Sequence, residues 1–84
     1  MNTITRKRKA YRLKRHTEVD EKGLAEQDYQ ILRLLQQGHT QTTIGLEIHL
    51  STTAVQYRIK DMLLKFECVN ATQLIYKLTK QGAI

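Results

Sequence analysis

Beyond residue 23, apolar side chains recur at intervals of three and four, the spacing that lines one face of a helix. Leu24, Ile31, Leu32 and Leu35, widened by Leu34, predict a first helix over about 25–37. Gly38 follows, the residue expected just past a helix C-terminus because it accepts positive φ. A second, shorter segment over about 41–49 opens behind Thr40, whose hydroxyl can accept an orphan backbone N–H, and turns Ile44 and Ile48 inward. Gly45 lies beside them. A mid-helix glycine costs ~1 kcal/mol relative to alanine, so this one predicts the close approach of another helix. Ser51 caps a third segment over about 52–66, with Val55, Ile59, Met62 and Phe66 on one stripe. Asn70-Ala-Thr-Gln73 is an Asn variant of the capping box, with Gln73 reaching back. It opens a fourth helix over about 71–80, which turns Ala71, Leu74, Ile75 and Leu78 inward and ends at Gly82. No stretch alternates as a strand would, none repeats, and there is no proline. The pattern is that of one all-α domain over residues 24–82.

The second and third segments make a short helix, a tight turn at His49-Leu50 and a longer helix. That is the layout of a helix-turn-helix, although periodicity alone fits any small helical bundle. The outer face of the third segment changes the picture. A solvated face usually favours Glu, Lys and Ala, the better helix formers. Here it carries Thr53, Tyr57 and Lys60, flanked by Gln56 and Arg58. Residues 53, 56, 57 and 60 are three and four apart and share a side. Each suits the DNA major groove: Gln56 can pair with adenine N6 and N7, and Lys60 or Arg58 can donate to guanine O6 and N7. Tyr57 and Thr53 can hydrogen-bond or pack on a thymine methyl. The plainer alternatives are that Tyr57 covers the end of the core, that Arg58 pairs with a carboxylate or a phosphate, and that Asp61 is a local electrostatic partner. Leu46 and Leu64 project away from the expected core, as a protein contact would require.

Charge adds a second feature. The 84-residue chain has a net charge of +6, and residues 1–23 hold eight of its 14 Lys and Arg against three of its eight acids. The remaining residues are nearly balanced, at +1. Positive charge therefore belongs to an arm, 1–23, which lacks sustained periodicity and is expected to be disordered when free. Its cations Arg6, Lys7, Arg8, Lys9, Arg12, Lys14 and Arg15 are expected to lie along a DNA backbone or in a minor groove. A membrane-binding version needs apolar partners that the arm lacks. A merely soluble tail is the bland alternative.

Composition excludes other classes. No run approaches a membrane span, and no apolar stretch follows the basic N-terminus as in a secretory signal. One cysteine precludes an internal disulfide framework, so a reduced, cytoplasmic setting is expected. Cys68 reads as a buried packing residue, and His16, His39 and His49 lack metal-ligand spacing. Glu26, Asp28 and Glu47 read as helix-surface or N-terminal charges. No catalytic residue, metal or cofactor is expected. Only the arm precedes the domain, and the initial Met favours a stand-alone product over a fragment.

The order of residues from Leu24 to Leu78 resembles the LuxR/GerE-type helix-turn-helix family. The matching landmarks are Leu24, the "ILRLLQQG" of 31–38, Thr40, Ile44, the "LS" of 50–51, Val55, Met62, the "KF" of 65–66, and Asn70 with Gln73. The resemblance implies a four-helix domain that binds double-stranded DNA as a homodimer, with the third helix in the major groove and the fourth supplying the dimer contact. Carried over position by position, it puts Gln56, Tyr57 and Lys60 at base-facing positions. It makes Lys65 a phosphate contact together with Thr40, Gln41 and Thr42, and gives the dimer contact to Ala71, Thr72, Ile75 and Tyr76. Arg58 stands where many members have His, and its place on the flank of the third helix is what suggests a phosphate contact for it. Against the family pattern, Ala25 stands for a capping Thr, Gln27-Asp28 for Arg-Glu, Thr42-Thr43 for Lys-Glu, and Gln56 for Lys or Arg. Ala71 stands for the Arg after Asn. The core is kept more fully than the DNA face. Two other readings stay open: a sigma-factor region-4-like module acting through RNA polymerase, and a protein-interaction adapter that has lost DNA reading.

Overall fold

Three of the four helices begin where a side chain takes up a free amide of the first turn, and each ends where the backbone turns. The computed structural model describes residues 18–84. It contains α1 (Glu26–Gln36), α2 (Gln41–Ile48), α3 (Thr52–Lys65) and α4 (Ala71–Lys80), within a residue of the spans predicted from periodicity at every boundary. The Thr40 hydroxyl accepts from Thr43 N–H at 3.2 Å, Ser51 Oγ from Ala54 N–H at 3.0 Å, and Asn70 Oδ1 from Gln73 N–H at 2.8 Å. The side chain of Gln73 reaches one residue further back than a capping box requires. Its Oε1 accepts from Val69 N–H at 2.7 Å, leaving Asn70 N–H unbonded by it. Gly38 closes α1 at φ 91°, with its N–H on Leu35 O and the following His39 N–H on Leu34 O, both at 3.0 Å.

The core is Leu24, Ile31, Leu32, Ile44, Val55, Ile59, Met62, Leu74 and Leu78. α1 packs on all three other helices, and α3 packs also on α2 and α4. The α3 stripe is thus held on both flanks. Leu35, Ile48, Phe66 and Ile75, expected inside, are half-buried where the stripes run out at the domain's edge, and Ala71 is half-buried at the start of α4. Cys68, expected to be buried, is also half-buried, packed against the core with its thiol 3.5 Å from Phe66 O.

Gly45 is required by a close approach, but not by a helix. A Cβ there would collide with the carbonyl oxygen of Leu50, in the turn that joins α2 to α3. That turn folds back because His49 adopts the left-handed conformation, φ 62° and ψ 43°, and Leu50 N–H then donates to Gly45 O at 2.8 Å. The glycine sets how tightly the two helices of the helix-turn-helix can be joined.

The boundary of the N-terminal arm needs correction. Glu18–Gly23, assigned by charge and lack of periodicity to a disordered arm, form a turn on the domain, and Val19 makes an antiparallel bridge to Ala25. Asp20 organises it: Oδ1 accepts from Lys22 N–H and Leu24 N–H, each at 3.0 Å, and Oδ2 accepts from the Tyr29 hydroxyl. Periodicity misses such a turn because its stability lies in one carboxylate rather than in an apolar stripe. The expected DNA contacts of Arg6, Lys7, Arg8, Lys9, Arg12, Lys14 and Arg15 lie outside the described residues.

Candidate nucleic-acid interface

The short helix α2 and the longer α3, joined by the His49–Leu50 turn, bring the predicted reading residues to one exposed surface. Thr53, Gln56, Tyr57 and Lys60 all face solvent, Tyr57 at 74% exposure. The opposite stripe of the same helix, Val55, Ile59 and Met62, is buried, which turns the polar row toward solvent. Gln41, at the first turn of α2, joins Thr53, Gln56, Tyr57, Lys60 and Leu63 around a shallow groove. One expected phosphate residue is therefore beside the row expected to read bases. Tyr57 does not cover the core. Among the described residues, none of the four side chains in that row has a hydrogen-bond partner within the fold.

The other expected phosphate contacts are placed differently. The Thr40 hydroxyl caps α2 and donates to the Thr43 hydroxyl at 3.0 Å, while Thr42 is exposed. Arg58 turns inward: its Nη1 is 3.0 Å from Asp28 Oδ1 in α1, and its side chain is 29% exposed. Lys65 Nζ donates to the Gly23 carbonyl at 2.6 Å and lies 3.7 Å from Asp61, one turn back on the same helix. Two of the cations expected on phosphate are thus engaged within the fold, and Asp61 is a local partner as expected. A carboxylate that is nearly out of water attracts a guanidinium more strongly than solvent does.

Asp28 is the residue that sequence reasoning missed. Read as a terminal charge, it is only 6% exposed and is the one buried charged side chain among the described residues. Its Oδ2 accepts from Ala25 N–H at 2.9 Å, so the third residue of α1 reaches back to its cap although Ala25 has no side chain able to reply. An acid three residues after the helix start is a legible capping signal; a partner thirty residues away is not. Tyr29 and Asp20 were also unmarked. The Asp20 carboxylate beside it pushes the Tyr29 hydroxyl up to about 12, with burial adding to the effect. In return, the Tyr29 hydroxyl and then the Leu24 amide hold Asp20 below the usual carboxylate range.

On α4, Ala71 and Ile75 are half-buried while Thr72 and Tyr76 face outward, Tyr76 at 64% exposure beneath Lys80, whose Nζ is 5.7 Å from the ring centroid. No described helix is long and apolar enough to cross a membrane.

Comparison with characterised proteins and with solved structures returned no match. The family model described as bacterial regulatory proteins, luxR family, matches residues 22–78, about two-thirds of the chain and all of α1, α2 and α3 with most of α4. With its four helices, its α2–turn–α3 unit and its exposed polar row, the chain belongs to the luxR family of bacterial regulatory proteins, as a DNA-binding helix-turn-helix domain of transcription regulation.

Proposed function

We propose that the chain is a sequence-specific transcriptional regulator that inserts α3 into the DNA major groove and reads bases with Thr53, Gln56, Tyr57 and Lys60. One observation carries this reading: an exposed row of groove-compatible side chains, free of partners within the described fold, on a helix whose opposite face is buried in the core. Gln41, Thr42 and the N-terminus of α2 take phosphate, where the first amides of a helix favour an anion. Lys60 is the cation of α3 left for DNA, since Arg58 and Lys65 are engaged elsewhere. The cations of residues 6–15 then supply the electrostatic share that the near-neutral domain lacks. The chain acts as a homodimer on DNA through α4, with Ala71, Thr72, Ile75 and Tyr76 at the contact, in the reducing cytoplasm.

Selection of binding sites from randomised duplex, after a salt-dependent mobility shift, tests this reading. An enriched half-site repeated about one helical turn apart is the expected result for a dimer. Failure to bind duplex at low salt would overturn it and favour a protein-interaction adapter. The observation on that side is Leu46 at 75% and Leu64 at 79% exposure, outward-facing on α2 and α3. Single half-sites bound only together with RNA polymerase would favour the sigma-factor-like alternative.

A further inference from the structure

Arg58 and Lys65 lie seven residues apart on α3, two turns along one face, about 10 Å at the usual helical rise. Both leave α3 for the same neighbour. Arg58 meets Asp28 in the first turn of α1, and Lys65 meets the carbonyl of Gly23 in the turn just before it. The receiving end is fixed as well. Asp28 is buried and bonded to Ala25 N–H, and the Gly23 turn is held by Asp20, by the Val19–Ala25 bridge and by the hydroxyl of Tyr29. Apolar packing on the Val55–Ile59–Met62 stripe holds α3 against the core but is non-directional and permits small rotations and slides. Two charged contacts at separate heights supply the direction that the apolar stripe lacks.

We infer that Arg58 and Lys65 are positioning residues: a two-point mount that sets the rotation and height of α3, so that base preference depends on them without either touching a base. Sequence specificity is sensitive to such a mount. Bidentate readout by a side chain such as Gln56 tolerates little displacement, and a rotation of α3 moves Thr53, Gln56, Tyr57 and Lys60 together. This inference rests on the proposed DNA reading.

Site selection with the wild type, Arg58→Met, Arg58→Lys and Lys65→Met tests the mount, alongside amide residual dipolar couplings of the free proteins to report the angle between α1 and α3. Arg58→Lys keeps the charge but not the planar fork, so it carries the test where Arg58→Met does not fold. The expected result is a motif broadened at every position read by α3 at once. Specific-over-non-specific binding falls by about tenfold, the scale of one mismatched base pair. The salt slope on random duplex is unchanged, and the α1–α3 angle shifts. A salt slope lower by about one with the motif intact would make either residue a phosphate ligand, and loss at a single base position would make it a base reader; both overturn the mount. So does a wild-type motif that all three variants retain. A wild type that selects no sequence overturns the DNA reading itself.

Discussion

Gly45→Ala sets two effects of opposite sign against each other. In an unencumbered helix interior the added methyl stabilises by about 1 kcal/mol. At Gly45 that methyl collides with Leu50 O and lies 3.5 Å from the carbonyl carbons of Leu50 and Ser51. These are backbone atoms in a turn held by Leu50 N–H on Gly45 O and by the Ser51 cap, so no flexible side-chain end can yield. Overpacking costs about 1–3 kcal/mol, and a rigid obstacle puts this case toward the upper end. The net loss is about 1–2 kcal/mol, or roughly 5–15 °C in Tm for a domain of this size. Gly38→Ala is the control. Its backbone is left-handed at φ 91° with nothing within 4 Å of the added carbon, so its cost is conformational alone, about 1–2 kcal/mol. Both variants therefore melt earlier by similar amounts, but only Gly45→Ala prises α3 from α2. Urea unfolding and DNA affinity are measured together, the affinity well below both melting temperatures. Gly45→Ala should lose affinity by more than its unfolded fraction explains, and Gly38→Ala should not. A Gly45→Ala protein as stable as the wild type, or equal loss of affinity in both variants, refutes the argument.

Tyr29→Phe should remove the tyrosine that titrates near 12 in a spectrophotometric titration. Because the native pKa of Tyr29 is raised, its stabilisation is full below the usual tyrosine value of about 10 and is lost as pH rises through about 12. Asp20 is lowered, so its contribution is present above the usual carboxylate value and is lost as pH falls through the lowered native value; Tyr29→Phe should weaken both dependences in urea melts across pH. Deleting residues 1–15 should lower DNA affinity and flatten its salt slope while leaving the selected motif intact, and an unchanged affinity across a salt titration would refute that role. Gln56→Ala should relax preference at one base position, at about 1–3 kcal/mol of discrimination, which site selection reads directly. Asn70→Ala should cost about 1 kcal/mol in thermal unfolding by uncapping α4, where Asn70 Oδ1 holds Gln73 N–H.

What the sequence by itself determined is local and periodic. The four helices, the caps Thr40, Ser51 and Asn70, the glycine past α1 and most of the buried stripe follow from short-range spacing, because a helix's caps and faces are decided within a few residues. The outward row of α3 was legible for the same reason: Thr53, Gln56, Tyr57 and Lys60 are exposed because Val55, Ile59 and Met62 are not. The tertiary structure alone decided which charges are spent inside. Asp28 looks like a helix-end acid until Arg58 arrives from thirty residues away, and only the docking of the helices brings the Gly23 carbonyl within 2.6 Å of Lys65. It also decided that a turn, not a helix, needs Gly45 bare, and that Asp20 starts the domain earlier than any apolar stripe suggests. A charged side chain is long and can pair in several directions, so its partner depends on how the helices dock; an apolar stripe has only the core to face.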